Sequence, residues 1–418
     1  MDTEEKNIIE NDASKNVTVK KKKNKKNRSF AKGVICGILI SVVVVSSVKG
    51  ISSVVKSIIY GEAEVAEATM DKLSSLEGII NNAYLYYDDL DMDKLEDGVY
   101  KGFVDAVGDP YTVYYTADET KELFQSIDGE YSGIGAVLSQ NIKTGLIVIN
   151  NVYSDSPAEK GGLKDGDTII QIDDHELAGE EISEVVTWIR GEKGTDVDIT
   201  VFRDGKEITC TVTRDIIQVE TVEHEMMEDS IGYLRITEFD DVTLEQFKKH
   251  MAALEEDGMK GLVIDLRSNP GGNLDITVEM LKEILPKGVI VSTKSRVGDE
   301  KVYSNDVDNA FDKPLTVLVD GYTASASEIF SGAVKDYGIG TIVGTQTFGK
   351  GIVQSILDLG DGTSLKVTVA EYFTPSGENI HGVGITPDVV VEFPENVDEI
   401  KSDVQLDKAV AIIKEQLK

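Results

Sequence analysis

The spacing of apolar positions changes character several times along the chain. Gly33 to Val48 (GVICGILISVVVVSSV) is uncharged and has no polar face over about four helical turns. From Gly61 to about Gln125 apolar residues recur at helical spacing (Leu73, Leu76, Ile79, Ile80, Ala83) with acidic residues between them, which predicts helices. Asp109-Pro110 breaks that pattern with a turn, and Asp118 is placed to cap the next short helix, through Leu123 and Phe124. No chemistry is visible in this region. Between Gly129 and Arg214 the pattern becomes short strands divided by glycine turns (GIGAVLSQ, GLIVINNV, DTIIQIDD, DVDITVFRDG, EITCTVTR), with one helix from about Ser183 to Arg190. From Ile231 onward strands alternate with helices, as in GLVIDLR, NLDITVEMLKEIL, LTVLVD and ASASEIFSGAVKDYG, the signature of an α/β layer. Leu406 to Leu417 reads as a terminal helix.

Charge sharpens the picture at the amino end. Ten basic residues fall within residues 1–32, among them Lys20 to Lys23, Lys25, Lys26, Arg28 and Lys32, directly before the apolar run. The run reaches about 24 Å as a helix against a hydrocarbon core of roughly 30 Å, so it spans only if Lys32 and Lys49 snorkel. We read it as a retained membrane anchor. The alternative is a cleaved signal peptide, because Val45-Ser46-Ser47 resembles a weak signal-peptidase site. In both cases the lysines stay in the cytoplasm and everything after Lys49 is extracytoplasmic. The whole chain carries −33, so the part beyond the basic tail is strongly anionic and repels phosphate backbones, which excludes nucleic acid as a partner. Two cysteines, Cys36 and Cys210, cannot build a disulfide framework or a thiolate metal site.

In the β-rich stretch, Gly133-Ile134-Gly135-Ala136 precedes an alternating strand, and SPAEKGGLKDGDTIIQIDD follows at Ser156 to Asp174. Glycines let backbone amides converge on an anion without a Cβ in the way. An isolated GxG only permits a tight turn, but together with the downstream segment the stretch resembles a PDZ domain. The resemblance implies that Gly133, Ile134, Gly135 and Ala136 receive the terminal carboxylate of a peptide that adds as a strand. Ala136 stands where a larger apolar residue is frequent. Arg190, at the end of the module's helix, is a candidate contact between module and core.

Four histidines (His175, His224, His250, His381) sit in turns, a connecting strand, a charged helix and a glycine-rich loop, and none adjoins a nucleophile in sequence; no HxxxH or HExxH spacing marks a metal site. Two strand-loop-helix junctions hold the interest instead. Gly261 to Arg267 ends in Ser268-Asn269-Pro270-Gly271-Gly272, and Leu315 to Asp320 ends in Gly321-Tyr322-Thr323-Ala324-Ser325-Ala326-Ser327-Glu328. Both loops leave the carboxyl end of a strand, the edge where α/β sheets gather ligands, so the two sites could coincide. A serine at a helix start lies near free amides and the positive end of the dipole, which favours an alkoxide. Ser325 to Glu328 also fits S-x-x-E, in which the serine merely caps the helix. Phe348-Gly349-Lys350-Gly351 shifts the balance, because a lysine between glycines and followed by Ile352 and Val353 can be buried as a base. Its pKa must then fall from about 10.4 to roughly 7 to 8, a cost on the order of 4 kcal/mol.

TASASEIFSGAV, FGKGIVQ, DLRSNPGG and TPSGENIHGVGITPD, arranged around this core after a PDZ-like module, resemble the carboxyl-terminal processing peptidases, or tail-specific proteases, over roughly residues 70 to 418. The resemblance implies a Ser-Lys dyad serine endopeptidase on a crotonase-like α/β core. It implies Ser325 as nucleophile, Lys350 as general base, Gln354 orienting the amine, and the backbone amides of Gly271 and Ala326 as oxyanion donors, with Gly272 a substitute for Gly271. The implied organisation is a basic cytoplasmic tail (1–32), a membrane anchor or signal segment (33–48), a helical N-terminal region (61–125), an inserted PDZ domain (126–215), the α/β peptidase core (216–395) and a C-terminal helical segment (396–418). The expected partners are protein or peptide substrates with free C-termini, cleaved near their tails, and the membrane; the helical region also suits a homodimer. No cofactor is implied. The rival readings are a catalytically silent PDZ scaffold that binds protein C-termini and, since this core also occurs in a retinoid-binding protein, a carrier of apolar ligands.

Overall fold

The computed structural model describes residues 67–141, 143–177, 179–308, 310–393 and 402–418, so the apolar run at 33–48 lies outside the described residues. Among the described residues no helix is long and apolar enough to cross a membrane. The chain divides into two units, one ending at Asp91 and one beginning at Met92. The described part of the first is the helix Glu67–Ala83 and a short 3-10 turn, Tyr87–Asp89. Met70, Leu76 and Ile79 are exposed on it.

The second unit is built on a six-stranded sheet in the order Val222–Met227, Ile231–Ile236, Gly261–Asp265, Leu315–Val319, Thr341–Gly344, Val389–Val390. The first strand is antiparallel to its neighbour and the rest run parallel. Parallel strands are covered on both faces, which is why Leu315–Val319 and Gly261–Asp265 are mostly apolar without alternation, Thr316 and Asp265 apart, and buried at every position. Leu262, Ile264, Val317 and Val319 point towards a core shared with Phe247, Val278, Phe330 and Val334, from the helices Thr243–Glu256, Leu274–Lys282 and Ala326–Tyr337. Val263, Leu318 and Val343 pack on the other face against Ala409 and Ile413 of the terminal helix Val404–Gln416. Arg267 fastens the start of that helix, bonding Asp265 from its own strand end and Asp403 and Gln405 from the helix.

A second, antiparallel sheet stands beside the first. Its longest strand, Ser364–Phe373, has Ile352–Asp358 along one edge; the other edge is shared by Gly288–Ser295, which pairs at residues 370–373, and Val113–Tyr115, which pairs at 364–366. A strand therefore lies inside the stretch expected to be helical. The helix after it is Ala117–Asp128, and Thr116, not Asp118, is its cap: Thr116 Oγ1 accepts the Glu119 amide and Glu119 returns a bond to the Thr116 amide. Thr116 wins because the strand ends one residue earlier, leaving its extended backbone at the cap position.

The β-rich module is a sheet in the order Ala136–Gln140, Ile147–Val152, Thr168–Ile172, Asp196–Arg203, Lys206–Thr213, closed by the helix Ile182–Ile189 over a core that includes Ile149, Ile172, Val185, Ile199 and Val212. Its entry and exit strands, Glu130–Gly133 and Asp215–Gln218, pair with each other and join it to the α/β body.

Candidate active site

The two strand-loop-helix junctions do meet. Their strands are neighbours, with Leu262 opposite Leu315 and Asp265 opposite Leu318. Asp320, at the end of one strand, accepts the amides of Ser268, Tyr322 and Thr323, while Thr323 Oγ1 donates to the Leu266 carbonyl. Asn269, fully buried, completes the weld: its side-chain amide donates to Ile236 O, and its carbonyl accepts the Ala324 amide and the Ser327 hydroxyl. The fit is tight enough to require glycine at 271, where a Cβ would lie 2.8 Å from Ala324 O and 2.9 Å from both Ala326 N and Ser325 Cβ. Gly272 is held likewise, a Cβ there striking the Phe239 carbonyl oxygen at 2.3 Å.

Ser325 is half-buried at the mouth of this junction, with φ 53° and ψ −115°. A side-chain-bearing residue there is strained by about 1 to 3 kcal/mol, which the surrounding hydrogen bonds must offset. Tyr372 donates its hydroxyl to the Ser325 carbonyl at 3.1 Å. Glu328, three residues on, accepts the Ser325 amide at 2.8 Å, and the Glu328 amide goes to the Ser325 backbone carbonyl at 2.8 Å. The acidic half of the expected capping box is thus made, while a backbone oxygen meets the Glu328 amide.

Glu328 does more than cap. It is fully buried, and its carboxylate also accepts the Lys350 amide (2.8 Å), the Gly349 amide (2.7 Å) and the Thr347 hydroxyl (2.6 Å). One carboxylate therefore joins the serine turn to the lysine loop. Gly349 (φ 89°) lets that loop run against Val383 and Gly384, where a Cβ would come within 3.0 Å of backbone.

Lys350 is half-buried. Burial above all, and then the nearby Lys366 ammonium, push its amine below the usual lysine range; Asp109 and Glu328 oppose the shift. Its Nζ stands 4.7 Å from the centroid of the Tyr111 ring. Among the described residues it makes no hydrogen bond to Ser325 Oγ or to Gln354. Gln354 instead directs Nε2 to Thr368 Oγ1 at 3.4 Å. Thr368 donates to Asp109 (2.7 Å), and Asp109 also accepts the Thr112 hydroxyl (2.6 Å) and the Tyr111 amide (3.0 Å), which hold its carboxyl below the usual range despite partial burial. The turn read from the sequence as an inert break thus lies at the site. The signal that it does is the strand Val113–Tyr115, too short to show a period, which lays the turn along the edge of Ser364–Phe373.

Of the implied oxyanion donors, the Ala326 amide opens the helix beside Gly271, whereas the Gly271 amide donates to Asn269 Oδ1 at 2.8 Å. His381 neighbours Asp109, and its backbone nitrogen closes on Gly351 so that a Cβ there would sit 2.5 Å away. His224 and His250 pair with each other, Nδ1 to Nδ1 at 2.5 Å. Among the described residues no group of three or more His, Cys, Asp or Glu is arranged to hold a metal.

In the β-rich module, Ala158 and Tyr153 donate to the Ile134 and Gly135 carbonyls (2.8 and 3.0 Å). Gly135 has φ 75°, and a Cβ there would meet Ser156 Cβ at 2.6 Å. Among the described residues, strand Ala136–Gln140 pairs on one side only and has its other edge beside the helix Ile182–Ile189, which Gln140 anchors through Ile182 N and Glu180 O. That is a slot for an added strand with a glycine loop at its head. Arg190 lies over the Tyr131 ring, 5.2 Å from its centroid, on the entry strand. Burial pushes the Tyr131 hydroxyl up to about 12.

Residues 132–213 match the family described as PDZ domain, and residues 230–391 match Peptidase family S41. The chain is 36% identical over 335 residues to the carboxy-terminal processing protease CtpB of Bacillus subtilis, covering 79% of this chain and 69% of that protein. It is 38% identical over 313 residues to a probable CtpA-like serine protease of Staphylococcus epidermidis, covering 74% of this chain and 63% of that protein. Among solved structures, a photosystem II D1 C-terminal processing protease is 28% identical, with a TM-score of 0.44 over 73% of this chain and 85% of the other.

Proposed function

Because this chain belongs to peptidase family S41 and carries a PDZ domain, it is a serine-type peptidase, and we propose that it cleaves polypeptides near their C-terminal tails with Ser325 as nucleophile and Lys350 as general base. The observation that carries the assignment of residues is the buried Glu328 carboxylate, which ties a strained serine turn to the loop of a lysine whose amine is pushed below the usual lysine range by burial. In the reaction the neutral amine takes the Ser325 proton as Oγ attacks the peptide carbonyl, and the Ala326 amide meets the oxyanion at the positive end of its helix. Gly271 joins it by releasing Asn269 Oδ1; the Gly272 amide is the substitute. Collapse expels the amine of the leaving peptide, which takes the proton back from Lys350, and water then hydrolyses the acyl-enzyme. Gln354 orients the amine once it leaves Thr368.

The PDZ domain selects the substrate, the amides of Gly133 to Ala136 taking the tail carboxylate. The rest of the reading includes a crotonase-like core, supported by the mostly parallel sheet with helices on both faces. It also includes export behind an N-terminal anchor, supported by lysines followed by an apolar run. Self-association through residues 61–125 is supported by exposed Met70, Leu76 and Ile79.

Two measurements test this. A fluorophosphonate probe should add its mass to the peptide containing Ser325 and leave Ser325→Ala unlabelled; an unlabelled but tail-binding wild type would instead make the chain a silent scaffold. A substrate ending in a free carboxylate should be cleaved at least about tenfold more efficiently than its C-terminal amide, since a charge-assisted bond of roughly 1.5 to 3 kcal/mol is lost with the charge. Equal rates would remove the PDZ domain from tail selection.

A further inference from the structure

The turn Gly108–Thr112 is fastened to the catalytic sheet more firmly than a connecting turn needs. On one edge of Ser364–Phe373, Val113–Tyr115 pairs at 364–366 and Gly288–Ser295 at 370–373, leaving Thr368 between them. The turn fills that interval: the Thr368 amide donates to Thr112 Oγ1 at 3.2 Å, and the Thr368 hydroxyl donates to Asp109 at 2.7 Å. Fixed in this way, the turn presents Tyr111 to the Lys350 amine, and Thr368 presents its oxygen to Gln354 on the opposite neighbouring strand. An ammonium over a ring face is attracted by the ring quadrupole, and the attraction is lost when the amine becomes neutral.

We propose that Tyr111 and Asp109 are positioning residues for the catalytic base: Tyr111 holds the charged Lys350 amine on its ring and away from Ser325, while Asp109, through Thr368, keeps Gln354 turned from the amine, so that the dyad assembles only when Lys350 leaves the ring. This rests on the assignment of Lys350 as the base. The amine is faced by Lys366 from the strand Ser364–Phe373, by Glu328 from the serine helix and by Asp109 from the turn, with His381 beside Asp109. Substitution of Tyr111 leaves those charges in place, so its effect reports the ring alone.

The test is the pH dependence of peptide hydrolysis by the full chain carrying Tyr111→Phe or Tyr111→Leu, with Lys350→Ala as control. Phe keeps the quadrupole and should retain the wild-type profile. Leu keeps an apolar cover but not the attraction for the cation, so the acidic limb of kcat/KM should move about half to one pH unit lower and hydrolysis at neutral pH should rise several-fold. A limb for a folded Tyr111→Leu protein that coincides with wild type overturns the proposal. If Tyr111→Leu does not fold, trifluorophenylalanine at 111 preserves the shape while weakening the quadrupole; it should shift the limb in the same direction, and an unmoved limb overturns the proposal equally. Activity retained by Lys350→Ala strikes at the assignment of the base instead, so the two failures are distinguishable.

Discussion

Replacing Lys350 with alanine or arginine should lower kcat/KM by roughly 10² to 10⁴-fold, the range expected for loss of a general base. Arginine is the more telling of the two. It keeps the positive charge and much of the length but stays protonated at every accessible pH, so it cannot accept the Ser325 proton. In the wild type, burial and the Lys366 ammonium favour the neutral amine. The sign follows: below the pKa of the folded protein the amine is charged and idle, above it the amine is a base, and kcat/KM therefore rises with pH along a limb whose midpoint lies below about 10.4. Removing the positive neighbour by Lys366→Met should move that limb upward. A stopped assay over a pH series reads both effects, and substantial hydrolysis by Lys350→Arg would exclude the lysine as base.

What the sequence showed and what it hid divide along physical lines. Leu315–Val319 and Gly261–Asp265 are legible because parallel strands buried on both faces leave a largely apolar run without alternation, and the glycines after them mark loops that meet, the Ala324 amide reaching the Asn269 carbonyl at 3.0 Å. Ser325 and Lys350 stand out because each combines a reactive side chain with a backbone context that departs from a plain helix or strand. The placement of Asp109 and Tyr111 beside Lys350 and Thr368 was hidden because it depends on the pairing of residues 113–115 with residues 364–366, some 250 positions away, and three strand residues carry no measurable alternation. Thr116 was missed as a cap for the same reason. Glu328 was visible only as a capping residue, since the local S-x-x-E pattern explains it fully and nothing nearby points to the loop at 347–350.

Glu328→Gln separates those two explanations. Glutamine serves a capping box as well as glutamate does, so if Glu328 only capped its helix the substitution would change stability by a few tenths of a kcal/mol and leave activity intact. The structure asks more of it. Oε2 accepts the Ser325 and Lys350 amides, and Oε1 accepts the Gly349 amide and the Thr347 hydroxyl. A carboxamide must turn its NH2 group towards one of these pairs. Turned to the Oε1 side it does least harm, because the Thr347 hydroxyl can rotate, but that hydroxyl already accepts the Ile385 amide at 2.6 Å, and the Gly349 amide is left buried without an acceptor. An orphaned buried amide and the lost charge together cost about 2 to 4 kcal/mol. The penalty falls on the link that sets the lysine loop against the serine turn, where a displacement on the order of 1 Å costs about 100-fold in rate. We therefore expect Glu328→Gln to lose at least about 100-fold in kcat/KM and to unfold at a lower temperature, while binding of a C-terminal peptide to the separate core of the PDZ domain is unchanged. Activity within about threefold of wild type would reduce Glu328 to a cap and leave the lysine loop to be held by its glycines and Thr347 alone.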